Sequence, residues 1–177
     1  MLLALDAGAS CVLIDLRATG PLAMLGHDPT LTARPVGLSI DVAEEDGGGI
    51  DAPVEARFAV ASIEPPAGIS GSDRARMRDN MLSRDVLDVA RHPEIVLRGR
   101  YAGTLEEGRL AGVLVVRGSP RAITVPLRVL RDGRAFAVRG RWEGRLTELG
   151  VRPYKALLGA LKLDDWIALR IDARFVP

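Results

Sequence analysis

The sequence predicts an all-β fold, one closed antiparallel barrel of about eight strands, with a helix near residues 73–83 and a short helical turn near 154–161. Three observations carry this. Apolar and polar residues alternate with a period of two through most of the chain, as in strands that bury one face. Clusters of glycine, proline and aspartate punctuate that alternation at short intervals. One stretch, Ser72 to Pro93, breaks the period: Met77 and Met81 stand four apart, and Arg74, Arg78 and Asp79 fall elsewhere around a helix.

Taken in order, Val12, Ile14, Leu16 and Ala18 form the apolar face of a first strand. Gly20-Pro21 breaks it, and Gly26-His27-Asp28-Pro29 reads as a turn. Val36, Leu38, Ile40 and Val42 give a second strand, and Glu44 to Gly49 an acidic hairpin tip. Val54, Ala56, Phe58 and Val60 give a third, and Pro65 to Gly71 a loop into the helix. Ser72 or Asp73 can cap that helix by accepting first-turn N–H groups. Pro93 holds His92 extended, so a strand starts there.

The pattern then sharpens. Ile95, Leu97, Gly99 and Tyr101 share a face, as do Leu110, Gly112, Leu114 and Val116. Gly118-Ser119-Pro120 turns into Ile123, Val125, Leu127 and Val129. Asp132-Gly133 is a tight hairpin signal. Phe136, Val138, Gly140, Trp142, Gly144 and Leu146 follow, and Ile167 to Phe175 closes the chain. Glycines 99, 112, 140 and 144 lie on apolar faces. They leave room for a strong bend or a ligand, where a filled sandwich would want side chains. A barrel of about eight strands just holds one small ligand.

The chain has 177 residues, 47% hydrophobic and 27% charged, which suits a single domain, 1–177. A formal net charge of +1 gives no overall pull toward nucleic acid. Cys11 is alone, which rules out an internal disulfide and a cysteine-based zinc site. Met1 to Asp6 is too short for a signal peptide and lacks its basic region, and no segment reaches the ~20 apolar residues of a membrane helix. The expectation is a cytoplasmic protein with no membrane insertion, periplasmic or secreted if the true start lies upstream. Association as a homodimer stays open.

His27 and His92 are the only histidines, and beside Asp28 or Asp88 either could serve as a general acid–base. A structural role is the simpler reading of both, and two separated histidines make a poor metal site. No nucleophile elbow, phosphate loop or dinucleotide fingerprint is present, so neither an enzyme nor a cofactor is expected. Arg139, Arg141 and Arg145 share the polar face of one strand, with Arg170 and Arg174 on a neighbour. Glu143 and Asp172 interleave them, as on a solvated barrel exterior.

Several blocks together resemble the YceI-like family. They are Met81-Leu82 with Val86 to Val89, His92-Pro93 and Ile95; Gly112 to Gly118 with Val125-Pro126; and Leu149 to Pro153 running through Leu161 to Asp165. Gly26-His27-Asp28 is similar to a His-Asp motif of some members. Val86-Leu87 stands where typical members carry Phe-Phe, and Pro29 where they carry a second histidine. The resemblance implies a lipocalin-like barrel with a polyisoprenoid lipid in its lumen. Together with the apolar inner face it points to a binding protein for an isoprenoid, quinone or acyl chain. The residues expected to hold it are Phe58, Leu97, Gly112, Leu114, Val138, Gly140, Trp142 and Gly144, with Leu157, Leu158 and Leu161 as a lid. A filled, ligand-free barrel and an enzyme using His27 and Asp28 at a barrel mouth are the alternatives.

Overall fold

The computed structural model describes residues 2–20, 28–41, 49–156 and 161–177. Its strands are β1 (Leu2–Leu5), β2 (Cys11–Thr19), β3 (Thr30–Ala33), β4 (Ser39–Asp41), β5 (Ile50–Ala59), β6 (Glu94–Gly103), β7 (Glu107–Val116), β8 (Ser119–Asp132), β9 (Ala135–Arg145), β10 (Lys155–Ala156) and β11 (Leu161–Val176), with helix α1 (Gly71–Leu82) between β5 and β6. They form one antiparallel sheet in the order β3-β2-β11-β9-β8-β7-β6-β5. β1 adds to β11 and β4, and β10 to β11.

Alternation sets the two faces. Ile50, Ala52, Val54 and Ala56 of β5 are buried while Asp51, Pro53 and Glu55 between them are exposed. On β8, Ile123, Val125 and Leu127 are buried in the same way. Arg139 and Arg141 point outward, so the core lies on the inner side of the curved sheet. Burying each of these inner aliphatic side chains contributes about 1.5–3 kcal/mol.

The expected closed barrel is not reached: the eight-strand path curls through 203° into a half-barrel. Where an ideal barrel would join β3 to β5, the chain offers two short strands, β3 and β4, with Pro35 between them. Proline has no N–H to give to a ladder, so the wall is interrupted there. Among the described residues, the β3–β4 stretch lies against the β5 side but pairs with it by backbone only at two isolated bridges, Thr32 with Glu64 and Gly37 with Arg57. The latter is reinforced by the Val36 N–H donating to the Arg57 carbonyl at 2.9 Å. Val36, expected in a strand, is exposed beside this seam.

Helix α1 starts at Gly71, two residues before the expected 73, because Ser70 rather than Ser72 or Asp73 is its cap: its Oγ accepts from the Asp73 N–H at 3.2 Å. Only Met81 of the helix is buried, with Met77 and Leu82 packed partly against the core. Polar ties complete the docking. Arg78 donates to the Ala61 carbonyl, Arg74 to those of Pro65 and Pro66, and Asn80 to the Tyr154 hydroxyl.

Of the helical turn expected near 154–161, the described ends are strand instead. Lys155 and Ala156 form β10, paired with Lys162 and Leu161, and the Leu163 N–H donates to the Tyr154 carbonyl. At these ends backbone pairing to the long β11 takes the place of a helical turn. Residues 157–160 lie outside the described residues. β1 and β3 had not been expected: four residues each, they are held by pairing to β11, β4 and β2, and though Thr30 to Ala33 alternates in burial, four residues are too short a run to stand out.

Candidate functional site

The half-barrel has two unlike ends. One carries α1, the β7–β8 turn and the end of β9. Buried there are Met81, Leu114, Val116, Leu146, Leu149 and Val151, and Trp142 packs against that core. Toward the other end, which carries the β6–β7 and β8–β9 hairpins, the inner side chains include Ala52 and Ala173, while Ala56 stands midway, level with Leu97 and Leu114. Small residues leave the lumen unfilled there, as a cavity of about 140 Å³.

The cavity wall comes from β2, β5, β6, β7, β8, β9 and β11. Val54, Ala56 and Phe58 line it from β5, Leu97 and Tyr101 from β6, and Val129 with Phe136 and Val138 from β8 and β9. Ile171, Ala173 and Phe175 of β11 close the side opposite β5, with Leu5, Pro35 and Leu38 at the seam. No charged residue lines it. Its few polar groups already have partners. Tyr101 donates its hydroxyl to the Thr104 carbonyl at 2.7 Å, and burial, with the Glu107 charge adding, pushes its pKa up, so the phenol stays neutral. Ser10, fully buried, accepts from the Arg174 N–H at 2.9 Å. Such a wall offers dispersion and desolvation to an apolar guest.

Of the expected binding residues, Phe58, Leu97 and Val138 come together on this wall. Gly112, Leu114, Gly140, Trp142 and Gly144 do not line it. The glycines sit where neighbours come close. Gly99 and Gly112 face each other across β6 and β7, so close that a Cβ on Gly99 would lie 2.8 Å from the Gly112 Cα. Gly144 is covered by the Trp142 ring and Gly108 by the Tyr101 ring. Gly140 is filled by Leu127 and Val125. These gaps admit a neighbouring strand or side chain, which sharpens sheet curvature. Leu157 and Leu158 lie outside the described residues, and Leu161 is described only as the first residue of β11, paired with Ala156.

Sequence reasoning missed the wall formed by Ala56, Phe136, Ile171 and Ala173. Their inward faces were legible, but nothing in the alternation tells which end of a lumen is filled. The contrast between alanines at one end and Trp142, Leu146 and Leu149 at the other was the available signal.

His27 lies outside the described residues. Its neighbour Asp28 is exposed, and its Oδ1 accepts from the Ala18 N–H at 2.9 Å, near the end of β2 remote from the cavity. His92 is half-buried against Gly118, and its N–H donates to the Asp88 carbonyl at 2.9 Å. Among the described residues, no three or more histidine, cysteine, aspartate or glutamate side chains gather as a metal would require. Among the described residues, no helix is long and apolar enough to cross a membrane.

The same shape recurs in solved proteins. BcnA of Burkholderia cenocepacia superposes with a TM-score of 0.67 at 14% identity, over 96% of this chain and 98% of that one. The YceI protein of Campylobacter jejuni gives 0.59 at 12% identity, over 77% and 78%. At such identities the likeness speaks for the fold. No curated protein matches the sequence. The model of the YceI-like domain matches residues 19–175, from the last residue of β2 through the helix to Phe175 of β11. The chain therefore belongs to the YceI-like family.

Proposed function

We propose that this protein binds an apolar, lipid-like molecule, an isoprenoid, quinone or acyl chain, in the lumen of its half-barrel, and performs no catalysis on it. The observation that carries the reading is the uncharged cavity walled by Phe58, Leu97, Phe136, Val138 and Ala173. Membership in a family of polyisoprenoid- and lipid-binding proteins supports the ligand class.

The cavity's size sets how the ligand sits. An apolar cavity of about 150 Å³ takes up a molecule the size of benzene, and the volume here is about 140 Å³. Six buried carbons at about 0.8 kcal/mol each give roughly 5 kcal/mol, only millimolar affinity. Micromolar binding needs about ten. A chain of that length enters with one end in the cavity. The rest leaves through the mouth near Thr104 and Leu105, or parts the seam between β3–β4 and β5, where the described residues supply two bridges. With no charge on the wall, selectivity comes from length and shape.

Titration with a fluorescent isoprenoid or fatty-acid probe tests this. Saturable uptake, displaced by an unlabelled chain of ten or more carbons, supports it. No uptake of any apolar chain leaves the alternative of a purely structural domain. A cytoplasmic setting is part of the same proposal, and cell fractionation tests it.

A further inference from the structure

The outer face of the sheet, on the other side of the same strands, carries an open groove of about 1010 Å³. It is lined by five arginines, Arg109, Arg128, Arg139, Arg141 and Arg170, against two carboxylates, Glu107 and Asp172. Their register is unusual. Arg128 stands directly opposite Arg139, in a row with Glu107 on the far side of Arg128 and Asp172 on the far side of Arg139, and Arg141 stands directly opposite Arg170. Like charges in such cross-strand pairs destabilise a sheet.

One wall is anchored. Arg170 makes a two-point contact with Asp15 at 2.6 and 2.8 Å, and Thr30 donates to the same carboxylate at 2.8 Å. Arg141 meets Glu143 at 2.7 Å; the Trp166 indole N–H donates to that carboxylate at 3.3 Å, and Arg17 stacks 3.7 Å over the indole. The facing arginines are not anchored. Among the described residues, Arg109 and Arg128 have no carboxylate within 4.0 Å, and Arg139 reaches Asp172 only at 3.8 Å. Arg109 and Arg128 are diagonal neighbours across β7 and β8, since Arg109 faces Pro126. Diagonal positions lie about 7–8 Å apart, within reach of long side chains converging on one group.

We propose that this groove binds a small phosphate-class polyanion, gripped by Arg109, Arg128 and Arg139 and backed by the anchored Arg141. Guanidinium forks match phosphate oxygens in geometry and charge, and an anion between Arg128 and Arg139 removes their repulsion. The site is separate from the apolar lumen: one layer of sheet divides them, with Leu127 and Ile171 bordering both. The failure of either reading leaves the other standing.

Isothermal titration of the whole chain with inorganic pyrophosphate at low ionic strength tests it. One saturable site is expected, weakened roughly tenfold or more in the double variant Arg109→Gln/Arg128→Gln. Arg100→Gln, whose partner Asp51 lies outside the groove, keeps wild-type affinity. Both altered groove arginines are exposed, and equal melting temperatures without ligand confirm that the double variant folds. No pyrophosphate binding by the wild type overturns the proposal, as does an equal loss in Arg100→Gln. Co-sedimentation with phosphatidylglycerol vesicles in the absence of pyrophosphate binding also overturns it, in favour of membrane-surface docking.

Discussion

Replacing Ala173 by Phe should fill the lumen. Ala173 lies on the inner face of β11, opposite Val138, and both border the cavity. The substitution adds one phenyl ring, close to the guest that a cavity of this size holds. Cavity volume costs about 24 cal/mol per Å³, so 140 Å³ sets a ceiling of about 3.4 kcal/mol on what filling can recover. Fitting a larger side chain into a folded core costs about 1–3 kcal/mol in shifted rotamers and backbone. The expected net is a stabilisation of about 1 kcal/mol. In urea titrations the midpoint should rise at unchanged slope, and probe uptake should disappear. Destabilisation by about 2 kcal/mol or more, with uptake intact, would refute the reasoning. It would mean that the ring finds no empty space and that ligand enters elsewhere.

Further perturbations separate wall from scaffold. Gly99→Ala forces a Cβ toward the Ala111 carbonyl and the Gly112 Cα, so β6 and β7 must part; thermal denaturation should show a loss of about 2 kcal/mol or more, and a neutral variant would contradict the close approach. Gly144→Ala displaces the Trp142 ring and should cost about 1–3 kcal/mol while probe uptake by the folded fraction persists, because neither residue lines the cavity. Tyr101→Phe removes the hydrogen bond to the Thr104 carbonyl and should lower stability by about 1 kcal/mol in urea titrations. The Asp15 carboxyl is held below the usual carboxylate range by the hydrogen bond from Arg170, against burial, with Thr30 adding to the lowering. A depressed folded-state pKa gives stabilisation that is present above the unfolded value and lost as pH falls through the folded one. The loss therefore falls below about pH 4. Asp15→Asn should flatten that acid limb in pH-dependent denaturation and cost less than about 1 kcal/mol at neutral pH, the pair being partly exposed.

Strands and faces were legible in the sequence because period-two burial is a local signal. Val125, Leu127, Arg139 and Arg141 all face as their alternation requires. β7 and β8 are joined by Arg117 and Gly118, both at positive φ, so the turn sits one residue before the expected Gly118-Ser119-Pro120 and β8 begins at Ser119. Barrel closure was not legible. It depends on whether β3 and β4, split by Pro35, can carry a continuous ladder to β5, a long-range property that no window of sequence contains. The glycines, read as room for a bend or a ligand, pose a related long-range question. An inward glycine marks missing volume, but Trp142 over Gly144 and Gly112 against Gly99 show that a neighbour can take that volume. The cavity instead follows from alanines 56 and 173, whose smallness matters only because no larger side chain reaches across.

Native mass spectrometry of gently purified protein tests the binding reading most directly. The expected spectrum shows the chain carrying an adduct of lipid mass, released on collisional activation and missing from Ala173→Phe. A spectrum of the bare chain alone, from protein that also takes up no isoprenoid, quinone or fatty acid in solution, would contradict it.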